Sequence, residues 1–119
     1  MTDAPAILIV EDEPLISMML EDFLDALGYR LAGCVDRVDD ALAHVERGGF
    51  SAALLDVNLR DGETSWPVAD ALSDRGQPFV LATGGGNDAV PARHARVPVL
   101  SKPYTLDGVR DAFTALLKQ

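Results

Sequence analysis

The feature that most restricts the fold is a short run closed by one acid, Ser51-Ala52-Ala53-Leu54-Leu55-Asp56. Small and apolar residues without polar alternation describe a strand buried on both faces, with Asp56 where the strand gives way to its loop. Three more runs are built alike. Ile7-Leu8-Ile9-Val10 leads into Glu11-Asp12-Glu13, Phe79-Val80-Leu81-Ala82 into Thr83-Gly84-Gly85-Gly86, and Val97-Pro98-Val99-Leu100 into Ser101-Lys102-Pro103. Doubly buried strands belong to parallel sheets covered by helices, and such open sheets bind ligands beyond the carboxyl ends of their strands. If parallel and adjacent, these runs bring Glu11, Asp12, Asp56, Thr83 and Lys102 to one rim.

The segments between the runs read as helices. Pro14 opens the first, where its missing N–H costs nothing. Leu15, Met19 and Phe23 repeat at four-residue spacing beside Ile16, Leu20, Leu24 and Leu27, leaving Ser17, Glu21, Asp22 and Asp25 for the outer face and Gly28 as the stop. Leu31 to Val35 forms another strand, in which Cys34 is expected to be buried and inert. Asp36 is placed to cap a second helix carrying Val38, Ala41, Leu42 and Val45. Arg60-Asp61-Gly62-Glu63 reads as a turn. Ser65-Trp66-Pro67 starts a third helix that buries Val68, Ala71 and Leu72, with Trp66 packing against it. Thr105 caps a last helix with Leu106, Val109, Phe113, Leu116 and Leu117 on one face. The pattern weakens only from Gly84 to Arg96, where three glycines, Pro91 and small apolar anchors predict a short, easily opened helix suited to signalling. Strand and helix alternate five times, the pattern of an α/β fold with one parallel sheet.

Composition narrows the function. The chain has 119 residues, 48% of them hydrophobic, which suffices for one domain with its own core. Ten basic residues against 19 acidic ones give a net charge of −9, the wrong sign for neutralising nucleic-acid phosphates. The single cysteine excludes an internal disulfide. No apolar run approaches the roughly 18 residues of a membrane span, and no signal peptide opens the chain, so a cytoplasmic protein without membrane insertion is expected.

The rim residues have a joint chemistry. Glu11, Asp12 and Asp56 are hard oxygen donors, too few for a Ca²⁺ cage but suited to Mg²⁺ with waters retained. Lys102 adds a fixed cation and Thr83 a hydroxyl. Such a set suits an Asp nucleophile that takes up a phosphoryl group whose new charge must be balanced at once.

With these residues in this order, the chain resembles a response-regulator receiver domain over essentially its full length. The resemblance implies a flavodoxin-like (βα)5 fold, a five-stranded parallel sheet in 2-1-3-4-5 order with helices on both faces, and one domain, 1–119, with no output domain. By the same resemblance Asp56 is the phosphoacceptor, Glu11 and Asp12 are metal acids, and Asn58 lends its backbone carbonyl to Mg²⁺. Thr83 is the switch hydroxyl, Lys102 contacts the phosphoryl group, and the Lys102–Pro103 peptide is cis. The phosphoryl donor is a sensor histidine kinase or a histidine phosphotransfer protein, and the output is an unknown downstream protein met as a monomer or weak dimer. The run Pro78 to Gly86 with Lys102-Pro103-Tyr104 is similar to the alphaproteobacterial Phe-Ala-Thr-Gly (FATGUY) subgroup, with Leu81 in place of its Phe. Two positions depart from the family. Val99 stands where an aromatic switch residue is usual, and Arg60 where many members have Pro.

Rival readings remain at this point. A receiver of this kind could serve as a phosphate sink or relay intermediate. A small phosphohydrolase with an Asp nucleophile usually has a second acid two residues on, where this chain has Asn58. Flavin binding fits the fold, but no Ser/Thr-rich phosphate loop follows the first strand. The Gly84–Gly86 run lacks the Lys-Ser/Thr of a P-loop and reads as a hinge. His44 on a polar helix face and His94 in a weak segment are poor phosphohistidine candidates. Tyr104 reads equally as an exposed docking ring or a packing residue.

Overall fold

The computed structural model describes residues 4–59, 62–84 and 90–117. Five strands, Ala6–Val10 (β1), Arg30–Val35 (β2), Ala52–Asp56 (β3), Phe79–Thr83 (β4) and Val99–Ser101 (β5), pair in parallel in the order β2-β1-β3-β4-β5. The helices are Pro14–Ala26 (α1), Val38–Arg47 (α2), Trp66–Asp74 (α3) and Leu106–Leu117 (α4). Within the described residues the β4–β5 connection holds a single 3-10 turn, Ala92–His94, where the sequence predicts a short helix. Gly85, Gly86, Asn87, Asp88 and Ala89 of that segment, and Arg60 and Asp61 of the expected turn, lie outside the described residues.

Every residue of β1, β3 and β4 is buried, as uninterrupted apolar runs require. Side chains alternate between two cores. Leu8, Val10, Ala53, Leu55, Phe79 and Leu81 face Ala41 and Val45 of α2 and Val68, Ala69 and Leu72 of α3. Ile7, Ile9, Ala52, Leu54, Val80 and Ala82 face Leu20 and Leu24 of α1 and Val109, Phe113 and Leu116 of α4. Burying each large aliphatic side chain contributes about 1.5–3 kcal/mol, so the sheet is held by its apolar layers and the acids ride on their ends.

Three local expectations are corrected. In α1 the buried stripe is Ser17, Leu20 and Leu24, while Leu15 is 79% exposed. The helix is rotated so that small Ser17 meets β2, beside the thiol of Cys34. Cys34 is exposed instead of buried, because β2 is an edge strand with one partner. Asp36 does not cap α2. The helix starts after Arg37, and the amide of Val38 donates to Glu63 Oε1 at 3.2 Å, so the cap comes from the β3–α3 loop. Thr105 does cap α4, its Oγ1 accepting from the Gly108 amide at 2.9 Å. At Gly33 a Cβ would lie 2.6 Å from the half-buried ring of His44, so any larger residue there needs that ring to move.

Candidate functional site

The rim forms because four strands end together. Glu11 follows β1 directly and is buried, its amide bonding the Val35 carbonyl at 2.9 Å. Asp56 is the last residue of β3 and only 4% exposed. Its neighbour in register is Ala82, and the next residue, Thr83, is buried at the end of β4. The amide of Lys102 donates to the Thr83 carbonyl at 2.9 Å, which fixes the start of the Lys102 side chain beside that strand end.

Glu11, Asp12 and Asp56 each offer a carboxylate oxygen within 4.8 Å of the others, a group that could hold a metal ion. Lys102 Nζ donates to Asp56 Oδ2 at 2.8 Å and stands 3.5 Å from Glu11 Oε1. Glu11 Oε2 accepts from the Glu13 amide at 3.2 Å, whereas Oε1 is buried with no hydrogen bond from the described residues. Burial foremost, and then the charge of Asp56, push the Glu11 carboxyl up to about 7. Burial disfavours the Lys102 ammonium, but its bond to Asp56 and the nearness of Glu11 outweigh that and raise it. Among the described residues, three crowded carboxylates, one forced toward its neutral form, face one ammonium. An oxygen-only donor set of that kind fits a hard divalent cation. A cleft of about 230 Å³ lies beside Glu11 and Asp12, lined also by Pro14, Ser17, Cys34 and Asp36.

The other expected residues are placed as follows. Asn58 is exposed two residues beyond Asp56, in an isolated antiparallel bridge to Thr64. Val99 is half exposed on β5, paired with Leu81. The Lys102–Pro103 peptide is cis. Tyr104 is 5% exposed and packs in the α1–α4 core, which decides against a docking ring. Its buried hydroxyl faces Glu11 without reaching bonding geometry, and burial, with Glu11 and Asp56 close by, raises its phenol.

Sequence reasoning missed two groups. His94 is 2% exposed, donates or accepts at Asp70 Oδ1 over 2.8 Å, stacks on Trp66 at 13° and meets Phe79 edge-on. Trp66 thus packs at the start of α3, as expected, but with His94 as its stacking partner. Arg93 adds a two-pronged pair to Asp70, at 2.6 and 3.1 Å. The other group is Ser65, fully buried, whose hydroxyl donates to the Asp56 carbonyl. A hydroxyl nine residues past the acid and just before Trp66-Pro67 was its one available signal.

A parallel five-stranded sheet with buried acids, an Asp and a Lys at its carboxyl edge defines a receiver-type fold. No protein-family model and no curated protein matches the chain. Solved structures do. The solution structure of SdrG from Sphingomonas melonis Fr1 is 60% identical over 98% of this chain and 99% of that one, with a TM-score of 0.86. The solution structure of the BeF3-activated conformation of SdrG from Pseudomonas melonis Fr1 has the same identity and coverage and a TM-score of 0.82. The PhyR response regulator REC domain of Erythrobacter litoralis is 29% identical over 97% of this chain and 91% of that one, with a TM-score of 0.79. The chain belongs to the response-regulator receiver domains.

Proposed function

We propose that this chain is a stand-alone receiver that accepts a phosphoryl group on Asp56, from a sensor histidine kinase or a histidine phosphotransfer protein, and thereby switches a protein-binding surface. The observation that carries the reading is the Lys102 ammonium 2.8 Å from Asp56, with Glu11 and Asp12 oxygens within 4.8 Å. In the transfer, an Asp56 oxygen bonds to phosphorus as the donor's P–N bond breaks, and the imidazole leaves with that electron pair. Lys102 is then placed between carboxylate and phosphoryl charge, and the Thr83 hydroxyl supplies a donor at the neighbouring strand end. Glu11, Asp12, Asp56 and the backbone carbonyl of Asn58 would hold Mg²⁺, which when bound offsets the crowded negative charge around the reacting oxygens.

The BeF3-activated form of the 60% identical SdrG supports a site that responds to a phosphoryl-like ligand. The Ala82-Thr83-Gly84 sequence after Pro78-Phe79 supports placement in the Phe-Ala-Thr-Gly subgroup, and Val99 then leaves switching to a route other than an inward ring. Domain 1–119 acts alone in this reading, as a cytoplasmic monomer or weak dimer with an unidentified downstream protein and no direct nucleic-acid contact. Among the described residues no helix is long and apolar enough to cross a membrane.

Incubation with acetyl phosphate and Mg²⁺ should add one phosphate by intact mass, and Asp56→Asn should add none. Phosphate retained in that variant would overturn the assignment.

A further inference from the structure

Ser65 stands at the first position before α3, where a serine hydroxyl ordinarily caps the helix amides. It does not cap this one. The side chain is wholly buried, and its hydroxyl donates to the backbone carbonyl of Asp56. Its amide donates to the Val57 carbonyl and its carbonyl accepts from the Ala69 amide, both at 2.9 Å, so the residue joins the end of β3 to the first turn of α3.

Among the described residues the Ser65 hydroxyl is the donor found at this carbonyl. Val57 N–H bonds the Ala82 carbonyl, so the Asp56 carbonyl, on the other side of the same peptide, points toward β1. The register of β1 with β3 ends at Val10 and Leu55, one residue short of Asp56. At a residue 4% exposed, a carbonyl that lost this bond would lose its donor among the described residues, which is costly in a buried place. With the hydroxyl in place, the Asp56–Val57 peptide is held on both sides, by Ala82 and by Ser65. That peptide sets the direction of the Asp56 side chain toward Lys102.

We propose that Ser65 is a positioning residue for Asp56, aiming its carboxylate for phosphoryl transfer by fixing the peptide that follows it. The inference rests on Asp56 being the phosphoacceptor. It acts through the backbone and makes no contact with the reacting atoms.

The whole chain is tested as Ser65→Ala, as Ser65→Cys, which fills the same space with a weak donor, and as Ser51→Ala. Ser51 serves as control because its hydroxyl accepts from the Ala6 amide at 3.3 Å, a side chain to backbone bond at the opposite end of the same strand. Phosphate incorporation from acetyl phosphate is followed by intact mass across Mg²⁺ and donor concentrations, with circular dichroism and urea unfolding in parallel. Both Ser65 variants should lose about tenfold or more in rate at saturating Mg²⁺ and donor, while Ser51→Ala stays within about twofold of the parent. If Ser65→Ala fails to fold, Ser65→Cys decides. Ser65 variants that react like the parent overturn the proposal, as does a rate that falls equally in Ser51→Ala, since it would then follow strand stability alone. A parent chain that takes up no phosphate, or an Asp56→Asn chain that does, overturns the phosphoacceptor reading itself.

Discussion

Lys102 Nζ lies 2.8 Å from Asp56 and 3.5 Å from Glu11, so one ammonium is shared by two buried carboxylates on different strands. Lys102→Met leaves those acids facing each other without a cation. It should cost about 1–3 kcal/mol at pH 8, within the range for breaking a partly buried pair. Added Mg²⁺ should recover much of the loss. Urea unfolding with and without Mg²⁺ measures both effects, and a variant as stable as the parent in each condition would contradict them.

Glu11 carries a pH dependence of its own. Its carboxyl sits near pH 7 in the folded chain against an ordinary 4.5, through burial first and the charge of Asp56 second. Between those values the folded chain keeps a proton that the unfolded chain has released. This group's contribution to stability is therefore full below about 4.5, declines as pH rises, and is lost above about 7. Glu11→Gln should flatten that decline in urea unfolding of the metal-free protein. Mg²⁺ has to displace the same proton, so calorimetry should find tighter binding at pH 8 than at pH 6.

Asp70 ties the β4–β5 connection to α3 through His94 and Arg93. The pair with exposed Arg93 adds little, whereas His94 is buried and depends on its bond. Asp70→Ala should lower stability by about 1–2 kcal/mol. Trp66, the single tryptophan, stacks on His94 and should report the change as a red-shifted emission. Unaltered emission would mean that the ring pair stands without Asp70.

Tyr104 keeps a buried hydroxyl beside Glu11 with no hydrogen-bond partner among the described residues. Tyr104→Phe removes it at constant shape, so the metal-free protein should be unchanged or up to about 1 kcal/mol more stable. A loss above about 1 kcal/mol in urea unfolding would mean that the hydroxyl holds a bond to Glu11.

The sheet was legible because β1, β3 and β4 are apolar without interruption, and the acids and Lys102 were legible because each sits at the end of such a run. What escaped depends on neighbours far away in the chain. The burial of Ser17 and the exposure of Leu15 follow from how α1 is rotated against β2, and helical spacing alone admits either stripe. Cys34 reads as apolar, yet edge position decides its exposure. Asp36 was a good local cap, but Glu63, 25 residues from Val38, took that amide. His94 follows a proline in a polar stretch, and only its contacts with Asp70, Trp66 and Phe79 explain its burial.

The short β5 has a consequence for how this surface can be read. A guest strand docking on that edge of the sheet would find a template of only three residues, with Val99 half exposed among them. Three residues offer too few main-chain bonds to seat a guest firmly, which also blunts edge-to-edge association between copies. A partner that met this side of the molecule would meet side chains rather than main chain, and a substitution at half-exposed Val99 would change that surface while leaving the buried strands untouched.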